Sequence, residues 1–369
     1  GTTANRGRGL NVDFGLSQEQ EMFQLALRRY LARQMPLEKV RTLMESDTVH
    51  DGAFFTGLAA QGITGILVPE RYGGSGLGLL DAAIASTELG RSAAPLSFHS
   101  ACVMAPLALV LSDNHRQEER WLPLVARGEA VLSWAGGRLS CAGGQLDGSV
   151  GFVADPSLAD AFVVRAGSGR ASRLLLVPRG TPGLSVVELE GVDLTRRLGE
   201  LVFEGVAVDE SLLLSTEGVD EISRRVSNAG RVALAADDLG ACGHALDVAV
   251  EYSLQRKQFG RAIGSFQAVK HMCAETVAEL EPLRSLIWYA AFAWDEQRED
   301  LETVVALAKA HAAEVGSRAV MTTTQVLGGM GFTWECNMHL WFKRAAYDRQ
   351  VLGSPAEMRS RAAASQFGI

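Results

Sequence analysis

The chain has 369 residues, 47% of them hydrophobic, and a formal net charge of −8, enough length for two or three domains around sizeable cores. The acidic balance argues against nucleic acid or an anionic membrane as the main partner, since both need a basic field. Five cysteines, an odd number with no C-x-x-C pair, fit buried, reduced thiols in a cytoplasmic protein, and no stretch reaches the roughly 20 apolar residues of a membrane span.

Residues 1–9 read as a flexible leader outside the fold. Residues 10–130 read as an N-terminal helical domain. Ser17-Gln18-Glu19-Gln20 is a capping-box pattern, Phe23, Leu27, Tyr30 and Leu31 share one face, and Pro36 ends the run. Residues 62–69 read as a turn into an extended segment. The glycine-rich residues 69–78 lack the Gly-Lys-Ser/Thr of a phosphate loop, so they read as a connector. Leu80 to Leu89 reads as an amphipathic helix closing at Gly90.

Composition changes at about residue 131. Short β runs over 161–164, 174–177, 184–189 and 201–208 alternate with glycine- and proline-marked turns, which predicts a middle β-barrel or sandwich domain over 131–215. Its charged residues fall mostly on turns and so read as solvated. Residues 216–369 carry long alanine-rich periodic segments at 233–254, 269–294, 303–327 and 338–352. These predict a C-terminal four-helix bundle and an α+β multidomain chain. Trp288, Phe292 and Trp294 read as core or subunit interface rather than as a ligand platform.

Two stretches in that last third carry chemistry. Arg256-Lys257-Gln258-Phe259-Gly260-Arg261-Ala262-Ile263-Gly264-Ser265-Phe266-Gln267 sits between two helical runs. An arginine at a helix end can fork onto a phosphate, and Gly260 and Gly264 let backbone come close to a ligand. A turn between helices with a solvated arginine is the plainer alternative. Gln325-Val326-Leu327-Gly328-Gly329-Met330-Gly331 puts three glycines in four positions, an anion cradle of backbone N–H groups. It follows a helix rather than a strand, which excludes a Rossmann fingerprint.

Together the two stretches resemble the acyl-CoA dehydrogenase family, with its Arg-x-x-Phe-Gly-x-x-Ile-x-x-Phe-Gln and Gln-x-x-Gly-Gly-x-Gly patterns. The order of helical, β and helical parts is similar to that family from Leu10 onward. The resemblance implies FAD, its ADP half held by Arg256, Phe259, Gln267, Gln325, Gly328 and Gly329 and its ring largely in a neighbouring subunit. It implies an acyl-CoA substrate contacted by Arg231, an electron-transferring flavoprotein as acceptor, and a homo- or hetero-oligomer, a dimer of dimers.

The chain departs from the family where the chemistry is done. Desaturation needs a base at the α carbon and hydrogen bonds to the thioester carbonyl. The usual glutamate position aligns with Leu352, and the alternative, one residue before Arg231, is Gly230. Two hydroxyls expected beside the flavin ring are also lost, with Gly137 and the Phe152-Val153-Ala154 run in their places. Asp237, two turns beyond Gly230, is the candidate substitute base, and an Asp paired with a bundle cation is the alternative. Three readings stand open: one subunit of a two-chain dehydrogenase whose partner supplies the carboxylate, a homo-oligomer using Asp237, or a structural relative that binds FAD or acyl-CoA without catalysis.

Overall fold

The computed structural model describes residues 15–46 and 51–368; the expected leader at 1–9 lies outside them. Helix α1 (Gln18–Gln34) starts at the capping box, with Ser17 and Gln20 satisfying each other's backbone N–H groups, and Pro36 caps α2 (Leu37–Met44). Next come α3 (Gly52–Ala60), α4 (Leu79–Arg91), α5 (Ala105–Ser112) and α6 (His115–Ala126). Residues 62–69 are a series of turns rather than the extended segment expected. Their apolar run, Ile63, Ile66, Leu67 and Val68, is buried one side chain at a time without strand partners.

Seven strands follow: β1 (Leu132–Ala142), β2 (Gln145–Ala154), β3 (Ala161–Ala166), β4 (Arg173–Pro178), β5 (Leu184–Leu189), β6 (Leu198–Ala207) and β7 (Leu213–Ser215). They form one sheet in the order β5-β6-β2-β1-β3-β4-β7. Strand β1 runs parallel to β3 from Leu132 to Leu139, bending at Gly136–Gly137 where the register shifts, and its last residues, Ser140–Ala142, pair antiparallel with β2. That bend folds the sheet over a core of its own containing Val150, Phe162, Leu175, Leu201 and Phe203. Gly137 permits it, because a Cβ there would lie 2.7 Å from Val150 Cγ1.

The last third holds α7 (Val219–Gln255), α8 (Gln267–Asp295), α9 (Leu301–Leu327), α10 (Met338–Gln350) and α11 (Pro355–Phe367). A small hairpin, β8 (Lys257–Gln258) with β9 (Arg261–Ala262), stands between α7 and α8. The N-terminal helices and the bundle share one hydrophobic core. Backbone contact makes the join: a Cβ on Gly90 of α4 would lie 2.0 Å from Asp237 O, and one on Gly240 of α7 would lie 1.8 Å from Thr87 O. Ser86 Oγ donates across the same seam to Ala233 O at 2.7 Å. The expectation of mostly buried cysteines holds for Cys102 and Cys242, while Cys141, Cys273 and Cys336 are half-buried.

The close crossing of α4 and α7 has a measurable signature. Gly240→Ala should lower unfolding free energy by about 1–3 kcal/mol through overpacking. Gly243→Ala, on the same helix with open space at its Cβ, should raise it by about 0.5–1 kcal/mol. Urea denaturation of both variants checks the pair, and equal effects would contradict the crossing.

Candidate functional site

Four groups of residues make up the candidate site, all set by the bundle and by loops that reach it. The first is a cleft between the β8–β9 hairpin and the turn after α9. Arg256, Gln258 and Ile263 line one side and Val326, Leu327, Gly328 and Gly329 the other, around about 550 Å³. The structure thus brings Arg256, Gly328 and Gly329 together. Gly328 has φ +61°, and neither glycine has any atom within 4 Å of a built Cβ, so the cradle opens outward. Gln267 and Gln325 are exposed and line no part of this cleft. Phe259 is 91% exposed at the hairpin tip, with φ +52° ahead of Gly260 at +79°. This two-residue turn with both φ positive suits Asn-Gly better than Phe-Gly. A strained, exposed aromatic ring is a feature that contact outside the chain would explain.

The second group lines a half-open inner cavity of about 370 Å³, bordered by His99, Met104, Trp134, Gly136, Gly137 and Leu352, among others. His99 lies at the start of a π-helical turn, His99–Met104, and Trp134 lies on β1 just before its bend. Burial, with Arg196, Lys309 and Arg344 nearby, pushes the His99 imidazole well below its ordinary pKa. Leu352 has φ +60°, an unfavourable backbone for a leucine. Its side chain meets position 230, where a Cβ would lie 2.7 Å from Leu352 Cδ1 and 2.4 Å from Met104 Sδ. The two positions at which the family resemblance would put a base therefore face each other, and apolar atoms fill the space between them.

The third group is an arginine-bearing cleft of about 880 Å³ that shares Trp134, Gly136 and Leu352 with the inner cavity. Arg231 is buried on α7. Its Nε donates to Leu352 O at 3.0 Å and its Nη1 to Asn228 Oδ1 at 2.7 Å. No carboxylate pairs with Arg231 or with the nearby Arg361 among the described residues, and burial and Arg361 bring the Arg231 pKa down to about 10. Glu357, which also lines the cleft, favours the Arg231 charge without a direct ion pair; a buried cation so weakly compensated is costly, and an anion entering this cleft would relieve it.

The fourth group is a buried ionic cluster, of which the sequence offered only the alternative that Asp237 pairs with a bundle cation, here Arg344. Arg196, on the loop between β5 and β6, pairs with Asp237 at 2.7 Å and Asp348 at 3.1 Å, and its guanidinium lies over the Tyr347 ring. Arg344 meets Asp193 at 3.5 Å and Asp237 at 3.9 Å. Lys309 donates to Asp348 O at 2.6 Å. Most charged residues of the β segment are exposed, as expected, but Asp155, Asp193 and Arg196 are buried, each with its partners. Asp237, the candidate base, sits between two arginines, and it is not among the residues lining the inner cavity. Asp348 belongs to the same cluster, and Glu357 caps α11 through Ser354. Burial pushes Asp348 well above the usual carboxylate range, with Asp237 and Asp238 adding to the rise. Burial also pushes Asp238 up to about 7 and Lys309 down to about 8.

Comparison with known proteins bears on these groups. The family description "Acyl-CoA dehydrogenase, N-terminal domain" matches residues 17–129, and "Acyl-CoA dehydrogenase, C-terminal domain" matches 216–367. Acyl-CoA dehydrogenase IpdE2 of Mycobacterium tuberculosis is 31% identical over 345 residues, 93% of this chain and 96% of that one. Glutaryl-CoA dehydrogenase of Desulfococcus multivorans is 26% identical over 385 residues, 97% of this chain and 99% of that one. The fold matches a chain of the ChsE4-ChsE5 complex from Mycobacterium tuberculosis with TM-score 0.88 and 25% identity, covering 95% of this chain and 97% of that one.

Two predictions follow from the cluster. Asp237→Ala should cost about 3–5 kcal/mol of stability, because it strands two buried arginines; urea unfolding measures this. A loss under about 1 kcal/mol would mean the pairing contributes little. The second concerns Asp238, whose carboxyl keeps its proton to about pH 7 when folded and to only about pH 4 when unfolded. The folded state then binds more protons between those values, so this group's contribution to stability falls as pH rises from about 4 to about 7. Relative to the parent chain, Asp238→Asn should therefore gain stability between pH 5 and pH 8. An unchanged difference across that range would refute it.

Proposed function

Since the chain belongs to the acyl-CoA dehydrogenase family, we propose that it works as one subunit of a flavin-dependent acyl-CoA dehydrogenase built from two unlike chains, whose partner supplies the catalytic carboxylate. The reaction is the α,β-desaturation of an acyl-CoA thioester. The observation that carries the two-chain reading is the apolar contact of Leu352 and Met104 with Gly230. Proton removal at the α carbon needs a base within hydrogen-bond reach. Neither leucine nor glycine can serve, and no carboxylate lines the inner cavity.

The family implies FAD, and the outer cleft fits one end of it. Arg256 would pair with the pyrophosphate, Gly328 and Gly329 would offer backbone N–H groups to it, and Phe259, Gln267 and Gln325 would bear on the adenosine half from the exposed side. Bound flavin supplies the hydride acceptor. The ring end fits this chain poorly: Gly137, pressed on Val150, and Ala154 offer no hydroxyl to it. A chain that clasps the nucleotide tail and lacks the ring contacts is suited to completing a neighbour's flavin site. The open cradle and the exposed Phe259 support that division of labour, and the ChsE4-ChsE5 structure is of a complex named for two chains. We further assign Arg231 and Arg361 to the CoA phosphates, a dimer of dimers to the assembly, and an electron-transferring flavoprotein as acceptor. The cytoplasmic placement rests on cysteine usage alone.

The deciding measurement is flavin per polypeptide, with dye reduction by acyl-CoA, for the chain alone and co-expressed with a genetically neighbouring family member. The chain alone should carry well under one flavin and be inactive, and the pair should be yellow and active. Gly329→Val in this chain should then lower the pair's flavin content about tenfold. A lone chain saturated with flavin and active would overturn the proposal. A pair that binds acyl-CoA without bleaching would favour the non-catalytic reading.

A further inference from the structure

We propose that the corner between α5 and α6 is a divalent transition-metal site of the zinc class, held by Asp113, His115 and Glu118. The observation that carries it is a convergence of donors: one donor atom from each of the three side chains lies within 4.8 Å of the other two. His115 Nδ1 stands 3.3 Å from Glu118 Oε2 and 3.9 Å from Asp113 Oδ1. A tetrahedral zinc ion with bonds of about 2.1 Å sets its ligand atoms about 3.4 Å apart. The first spacing already fits, and the Asp113 side chain, 84% exposed, has room to swing the rest of the way. One imidazole with two carboxylates suits zinc and its neighbours rather than magnesium or calcium, which take oxygen ligands.

The local fold delivers these groups to one place. Asp113 ends α5 with φ +50°. Asn114 caps α6, and its Nδ2 donates to Leu213 O at 3.0 Å and Leu214 O at 3.2 Å, which ties the corner to β7. His115 and Glu118 then stand three positions apart at the start of α6, where side chains meet. A second, independent observation concerns Glu118. Its side chain is 1% exposed, and its Oε1 has no hydrogen-bond partner. Its Oε2 accepts from Tyr72 OH at 2.7 Å, while Arg71, 61% exposed, reaches it only at 3.4 Å. A buried carboxylate so thinly compensated is costly, and a cation bonded to Oε2 on the His115 side supplies the missing charge.

The site stands apart from the groups described above. None of the three residues lines the outer, inner or arginine-bearing cleft. Asp113 instead borders an open groove of about 660 Å³ whose charged lining is Asp113, Glu217, Glu221 and Arg225, a net negative approach for a cation. Three protein ligands leave a fourth position, which water takes. The ion joins the end of α5 to the start of α6 and, through the Tyr72 bond to Glu118, to the turn Glu70–Tyr72 that precedes α4.

Calorimetric titration of the untagged full chain, first stripped with EDTA, tests this with zinc chloride and magnesium chloride. About one equivalent of zinc should bind at micromolar concentration, and magnesium at least about a hundredfold more weakly. His115→Ala and Asp113→Asn should each weaken zinc binding at least about tenfold. Both side chains are exposed, and asparagine tolerates the positive φ at 113, so neither variant threatens the fold. Zinc should also raise the thermal unfolding midpoint of the parent chain and leave that of His115→Ala unmoved. No saturable zinc binding, equal affinity for magnesium, or zinc binding that survives both substitutions would overturn the proposal. No flavin or acyl-CoA enters the titration, so its outcome does not depend on the two-chain reading.

Discussion

The pairing of Arg196 with Asp237 and Asp348 is the constraint on which the site depends. It joins three parts of the chain: a loop of the β segment, the long helix α7 and the end of α10. Four carboxylates (Asp193, Asp237, Asp238, Asp348) and three cations (Arg196, Arg344, Lys309) are buried there together. Burying so many charges is unfavourable unless each is paired, and removing one partner costs more than the pair contributes. Burial works against the charge of Arg196, yet Asp237 and Asp348 hold its pKa above the ordinary value. The cluster therefore opposes any sliding of the β segment over the bundle. Asp348 precedes the segment that carries Leu352, so the same pairing fixes one wall of the inner cavity.

A second constraint works through close packing. Gly90 and Gly240 bring α4 and α7 to backbone contact, with the Asp237 backbone against Gly90. Gly316 on α9 serves Asp238 likewise, for a Cβ there would lie 2.2 Å from its Oδ2. Small residues at crossings thus set the positions of charged groups, and those charged groups set the loops. The unusual backbone of Leu352 is held in the same way, by Arg231 donating to its carbonyl.

Much of this was legible in the sequence, for identifiable reasons. Helices with regular apolar spacing and an explicit start, such as α1 with Ser17 and Gln20, appeared where expected. Strands β1 and β2 were missed because Gly136, Gly137, Gly148 and Gly151 interrupt the alternation that marks a strand. Helix α11 was missed although Ser354 and Glu357 form a capping box at its start, a signal that could have found it. The Arg256 hairpin and the Gly328–Gly329 turn, which line one cleft, were legible because each is a short run with local spacing. The burial of Asp193 and Arg196 was not, because their partners lie more than 140 positions away in the case of Arg344 and Asp348. His99 and Trp134 were missed for a related reason: their place in the wall of the inner cavity shows only once the chain is folded.

The hairpin tip carries a consequence for the life of the chain in a cell. Phe259 stands almost wholly in water on a turn that resists a bulky residue, and Phe332 nearby in the sequence of the glycine turn's helix is 79% exposed. A copy left without a companion keeps those rings uncovered, which invites clumping and quality-control proteolysis. Surplus synthesis would then be self-limiting, and the abundance of this polypeptide would track the supply of whatever shields its tip.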